Sequence, residues 1–142
     1  MKKGKLLILI ICIINFLLCN DIVTSDGDTR LHCAAYAHDI ELIQELLKSG
    51  AEVNSRNRYG KTPLHSAIYS SIKNQFKKES ILVLLKNGAN PNLIDYNGKS
   101  SLDIIKTFHN YKDLHVTMEK YAADFTTERD RLTQALTESG ND

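Results

Sequence analysis

The stretch Gly60-Lys61-Thr62-Pro63-Leu64-His65-Ser66-Ala67, followed by Ile81-Leu82-Val83-Leu84-Leu85-Lys86-Asn87-Gly88, decides the fold. Thr62 suits a helix N-cap, because its hydroxyl can accept a hydrogen bond from an otherwise orphaned backbone N–H. Pro63 falls at the first helical position, where its missing N–H costs nothing and its fixed φ suits the helix. The spacing predicts a helix to about Ser70 and a second ending at Lys86, closed by Gly88 in the left-handed conformation. The pattern recurs. Upstream, Gly27-Asp28-Thr29-Arg30-Leu31-His32-Cys33-Ala34-Ala35 leads to Leu46-Leu47-Lys48-Ser49-Gly50-Ala51-Glu52-Val53-Asn54. Downstream, Gly98-Lys99-Ser100-Ser101-Leu102-Asp103 begins a weaker copy. Thr29 and Thr62 stand 33 residues apart, Thr62 and Ser100 38, the same period plus five. The ends of the units repeat too, Gly50-Ala51-Glu52-Val53-Asn54 against Gly88-Ala89-Asn90-Pro91-Asn92. Self-similarity at this period means stacked supersecondary units, not one globular sheet.

These residues resemble the ankyrin repeat, a family with this period and a Thr-Pro-Leu-His-x-Ala string. The second unit carries the string intact from Thr62 to Ala67, and the first has Arg30 in place of proline. The third keeps Gly98 and Leu102, with Ser101 and Asp103 where proline and histidine belong. The resemblance covers roughly Thr24 to Tyr121. It implies an all-α repeat fold, an α-solenoid of helix–turn–helix units joined by β-hairpin-like turns, with a C-terminal capping helix. The implied organisation is a signal peptide at 1–25, repeat 1 at 26–57, repeat 2 with a short insertion at 58–94, a degenerate repeat 3 at 95–121, and a C-terminal helix and tail at 122–142.

The N-terminus reads differently from the rest. Met1-Lys2-Lys3-Gly4-Lys5 is basic, and Leu6 to Cys19 is apolar except for Asn15. That run is shorter than the ~20 residues a membrane-spanning helix needs, and a basic end before an apolar core is the pattern of a secretory signal. Val23-Thr24-Ser25 offers a cleavage site after Ser25; a cut after Cys19 also fits, and an uncleaved anchor is the alternative. Removal of residues 1–25 would leave Cys33 alone, so no internal disulfide is available; its motif position predicts a small hydrophobe in the first helix pair. The chain of 142 residues has a formal net charge of +1, which gives no strong pull toward nucleic acid.

In unit 1, Asp39 is placed to cap a second helix over about Ile40 to Ser49. In unit 2, the five extra residues within Ser70 to Ser80 predict that one or both helices are lengthened, with Ile72 and Phe76 inward; a partner-binding loop is the alternative. In the third finger, Asn97-Gly98 is a strong turn dipeptide because both residues tolerate φ > 0. Leu114, Met118, Tyr121, Phe125, Leu132 and Leu136 then form an amphipathic stripe. Its start is the second helix of repeat 3, and the remainder extends or folds back as a cap; a coiled-coil dimer is the other option. About three units are needed for a stable stack, so this helix is predicted to be structural.

No residue set points to catalysis. His32 and His65 are the histidines of the repeat string, where the resemblance implies a hydrogen-bonded role linking adjacent units. His38, His109 and His115 have no Cys or carboxylate at zinc-ligand spacing. Gly60-Lys61-Thr62 is similar to the end of a phosphate-binding loop but lacks the upstream glycine. The reading therefore assigns no enzyme activity, no cofactor and no metal. What remains is surface. In ankyrin proteins the hairpin tips and the exposed side of the first helices form a concave groove for a partner protein. Carried over by position, this gives Arg58, Tyr59 and Lys61 on one finger, Tyr96, Asn97 and Lys99 on the next, and Tyr36 and Tyr69 late in the first helices. Tyrosine and arginine are favoured at binding hot spots. The implied protein is a small exported module, periplasmic or secreted and of bacterial type. It would be monomeric, bind a protein partner, and touch neither nucleic acid nor, after signal removal, membrane. A membrane-tethered scaffold and an enzyme-inhibitor or immunity-type protein are the alternatives.

Overall fold

The computed structural model describes residues 23–73 and 77–139, with side chains described as far as 126. Residues 1–22 of the expected signal peptide at 1–25, and Phe76 of the insertion, lie outside the described residues. So do the side chains of Leu132 and Leu136.

Among the described residues six α-helices follow one another: α1 (Arg30–Ala37), α2 (Ile40–Lys48), α3 (Pro63–Lys73), α4 (Lys78–Lys86), α5 (Ser101–Lys106) and α6 (Lys112–Ser139), with a 3-10 turn at His109–Tyr111 before the last. The described residues contain no strand; one isolated antiparallel bridge joins Ile94 and Ser100. The helices form two layers. The first helices of the units, α1, α3 and α5, pack side by side, and behind them α2, α4 and α6 do the same. This is the all-α repeat stack that the period predicts.

One core runs through all three units. Leu31, Leu64 and Leu102 occupy equivalent positions and belong to a single buried cluster with Ile43, Leu46, Ile68, Ile81, Leu84, Leu85 and Ile105. Ala34, Ala35 and Ala67 are buried where α1 and α3 meet, and small side chains there let the helices approach closely. At the far end α6 completes the cluster with Leu114, Met118 and Ala122. Burying a leucine-sized side chain is worth about 1.5–3 kcal/mol, so α6 contributes a substantial share of the third unit's stability.

Local chemistry sets the helix ends. Asp39 caps α2 by accepting from the Leu42 N–H at 3.0 Å. Gly50 and Gly88 close α2 and α4 with φ of 93° and 89°. α3 has 11 residues against 8 in α1, while α2 and α4 both have 9, so the insertion lengthens the first helix. Ile72 packs against the core as the pattern predicts. The expected turn at Asn97-Gly98 forms, with Gly98 alone at positive φ, 73°, and Asp95 accepting from the Asn97 and Lys99 N–H groups. Of the two alternatives for the C-terminal run the structure takes extension: α6 is unbroken for 28 residues, about 42 Å.

Candidate functional site

The starts of α1 and α3 are built alike. The Thr29 N–H donates to His32 Nδ1 at 3.2 Å, and the Thr29 hydroxyl lies 2.9 Å from the same nitrogen. In unit 2 the Thr62 N–H donates to His65 Nδ1 at 3.1 Å, with the hydroxyl at 2.9 Å. Histidine thus takes the place that Glu or Gln holds in an ordinary capping box, and the Thr62 hydroxyl turns to the ring. A backbone N–H can only donate, so Nδ1 is the acceptor and the proton sits on Nε2. His32 Nε2 donates it to the Lys61 carbonyl at 3.0 Å, and His65 Nε2 to the Lys99 carbonyl at 3.2 Å. Each unit therefore holds the finger of the next. Burial keeps both rings neutral, with pKa values below the ordinary 6.5.

The fingers repeat as well. Asn57 Oδ1 accepts from the N–H groups of Tyr59 and Lys61, both at 3.0 Å, and Asp95 Oδ1 does the same for Asn97 and Lys99 at 2.9 and 3.0 Å. These bonds outweigh the burial that would raise the Asp95 pKa, and hold it below the usual value. Neighbouring fingers join through their backbones: Arg58 N–H to the Asp26 carbonyl and Tyr96 N–H to the Tyr59 carbonyl, each 2.9 Å.

A second ladder runs along the opposite ends of the units. Asn54 accepts from the Asn90 N–H at 2.8 Å and donates to the Gly88 carbonyl at 3.0 Å, and Asn92, its counterpart, donates to the Ala122 carbonyl of α6 at 3.0 Å. Sequence reasoning missed these residues, although the repeated Asn at the end of each unit was their signal. It also missed His38, which closes α1 in the left-handed conformation at φ 57° and places Nδ1 2.7 Å from the Ser80 hydroxyl.

The structure brings part of the predicted face together. Lys61 lies with its ammonium 4.5 Å from the centre of the half-buried Tyr69 ring and 5.7 Å from that of Tyr59. The Tyr59 hydroxyl donates to Asp26 at 3.3 Å. Tyr96 sits beside this group: a Cβ at Gly60 would meet its ring at 2.7 Å. Tyr36, Tyr59 and Tyr96 remain 48%, 51% and 74% exposed. Tyr36 stands apart from the Lys61 group, in an open groove of about 320 Å³ with Thr24, Asp28, Cys33 and Ser66. Arg58 covers Gly27. Asn97 is tied into its turn by Asp95, and the Lys99 side chain is exposed. Cys33, expected in the core, is half-buried and lines the groove instead, and burial raises its thiol pKa.

Lys106 and Glu119 form an ion pair at 3.7 Å, and His115 Nε2 lies 3.2 Å from Glu119, on α5 and α6. Among the described residues Arg58, Lys61 and Lys99 make no close ion pair, although the Lys99 charge helps to lower the Asp103 pKa. Among the described residues no group of three or more His, Cys, Asp or Glu is placed to hold a metal ion, and no helix is long and apolar enough to cross a membrane.

A family model described as ankyrin repeats in three copies matches residues 5–95. The match starts at Lys5, the last residue of the basic end, and stops where the third unit starts. A Rickettsia bellii protein described as an ankyrin repeat protein is 41% identical over 93 residues, 63% of this chain and 37% of its own length. An Arabidopsis thaliana ADP-ribosylation factor GTPase-activating protein is 42% identical over 77 residues, 54% of this chain and 9% of its own. The human transient receptor potential cation channel subfamily A member 1 is 39% identical over 106 residues, 72% of this chain and 9% of its own. The chain thus spans well under half the length of each of these relatives.

Proposed function

The chain belongs to the ankyrin-repeat family, and on that premise we propose that it is an exported, non-catalytic module that grips a partner protein through the face made by its fingers and inner helices. One observation carries this reading. Tyr36, Tyr59 and Tyr96 stand about half exposed or more, and Lys61 is held between two tyrosine rings on the same side as Tyr96. Exposed tyrosines and a cation stacked on them are the residue types that dominate binding energy once covered. The partner face comprises Tyr36, Arg58, Tyr59, Lys61, Tyr69, Tyr96, Asn97 and Lys99. The organisation is a leader at 1–25, repeats at 26–57, 58–94 and 95–121, and a closing helix.

The experiment is cross-linking capture with the chain and with a variant carrying Tyr36→Ala, Tyr59→Ala, Tyr69→Ala and Tyr96→Ala. Specific capture by the wild type, lost in a variant that still shows a cooperative helical melt, supports the face. Undiminished capture by the variant rejects it. A retained N-terminus, making the chain a membrane-tethered scaffold, is the second reading. It rests on the apolar run Leu6 to Cys19, kept as an anchor if it is not cleaved. N-terminal sequencing of the protein from cells separates the two: a start near Asp26 supports export to the periplasm or beyond, and a start at Met1 replaces it.

A further inference from the structure

The fingers make a ladder with two closed rungs and one open end. Arg58 donates its N–H to the Asp26 carbonyl, and a Cβ at Gly27 would meet the Arg58 backbone nitrogen at 3.2 Å and its Cγ at 3.0 Å. Tyr96 donates to the Tyr59 carbonyl, and a Cβ at Gly60 would meet its ring at 2.7 Å. Asn97 follows Tyr59 by 38 residues, as Ser100 follows Thr62, so the next donor in the series would meet the Asn97 carbonyl and cover Gly98. Nothing lies within 4 Å of a Cβ placed at Gly98, and the Asn97 carbonyl accepts no hydrogen bond among the described residues. The other layers are closed at this end. Leu114, Met118 and Ala122 complete the core, and Asn92 seals the unit ends to α6. Among the described residues the finger layer stops with its acceptor bare.

We propose that this open rung is a docking edge for a turn or extended segment of a partner protein. The partner's backbone N–H donates to the Asn97 carbonyl, and its tyrosine or arginine covers Gly98 as Tyr96 covers Gly60. The proposal rests on the protein-binding reading above and adds a register and a residue preference to it. Main-chain pairing of this kind supplies affinity, and the covering side chain supplies selectivity.

The test uses a cyclic peptide of residues 90–100, the finger that already covers Gly60, titrated into the chain while the amide signals of Asn97, Gly98 and Lys99 are followed by NMR. Expected are saturable shifts at these three amides, at least tenfold weaker binding when the peptide tyrosine is replaced by alanine, and no shifts in the Gly98→Asn chain. Asparagine tolerates the left-handed conformation and the space is open, so that variant keeps the fold while filling the edge. Absence of shifts in the wild type, or equal shifts in Gly98→Asn, overturns the proposal. If Gly98→Asn loses its fold, a nuclear Overhauser contact between the peptide tyrosine and Gly98 in the wild type decides: present it supports, absent it overturns. Concentration-dependent shifts at Gly98 without peptide assign the edge to a second copy and overturn the partner assignment. Capture lost in the tyrosine variant but kept in Gly98→Asn leaves the face standing and removes the edge.

Discussion

The turns that start α3 and α5 share one geometry and differ in the residue at its third helical position. In the first, Thr62 meets His65, and the ring passes a hydrogen bond on to the Lys99 carbonyl. In the second, the Ser100 hydroxyl donates to Asp103 Oδ2 at 2.7 Å, while the Asp103 N–H donates back to Ser100 Oγ at 3.0 Å. A carboxylate only accepts, so it has no proton to offer a following finger. The first bond of the helix is satisfied in both units. Propagation and termination therefore differ by one side chain. The contrast extends to the fingers, where Gly60 is pressed by Tyr96 and Gly98 by nothing.

If Asp103 ends the relay, closure falls to α6. Deleting residues 112–142 strips the cover from Leu102 and Ile105 and is expected to abolish cooperative unfolding; a truncated chain with an unchanged melting temperature would break the comparison. Next in size is the pair of cap residues. His65→Ala leaves a cavity and the buried Thr62 N–H without its acceptor, and removes one of the two hydrogen bonds to the Lys99 carbonyl, a loss of about 3 kcal/mol. Asp103→Ala removes only a cap partner on an exposed side chain, about 1 kcal/mol. Urea melts of the two variants check the ratio, and equal losses would mean that the relay carries no extra stability.

The glycine pair sharpens the same contrast. Gly60→Ala adds overpacking against Tyr96 to left-handed strain, about 3 kcal/mol together. Gly98→Ala carries the strain alone, about 1–2 kcal/mol. The smallest effect is that of pH. The folded pKa values of His32 and His65 lie below 6.5 through burial, so their contribution is complete above that value. It is lost as pH falls from 6.5 through the folded values, because the unfolded chain binds protons first. The pKa of Asp103 is lowered by its Ser100 hydrogen bonds, so its contribution is full above about 3.8 and fails only as pH falls further. Chemical melts between pH 7 and pH 3 should show two successive declines, with the first reduced in the double variant His32→Ala, His65→Ala to the share of His38, whose pKa burial also lowers.

The period, the helix starts and the common core of Leu31, Leu64 and Leu102 were legible because each is written within a few residues and then repeated. The Asp39 cap and the closing glycines were legible for the same reason. The role of Asp103 was half legible: against the repeat string it reads as a lost histidine, yet Ser-x-x-Asp is itself a cap signature. What escaped depends on contacts 30 or more residues apart. Nothing local to Tyr96 says that its ring lies on Gly60, and nothing local to His38 points to Ser80. Of the predicted face, Tyr59, Lys61 and Tyr69 came together because their units are in phase, whereas Asn97 and Arg58 turned out to be occupied in building the fingers.

The His32 and His65 bonds point the same way along the chain, from ring to the carbonyl of the following unit. A duplicated segment can be spliced in ahead of Ser100, because its histidine would find a carbonyl waiting. A segment appended beyond Asp103 would find no histidine reaching out to it and would have to seat on the Asn97 carbonyl and Gly98 alone. Growth from within therefore keeps the relay intact, whereas growth at that end does without it.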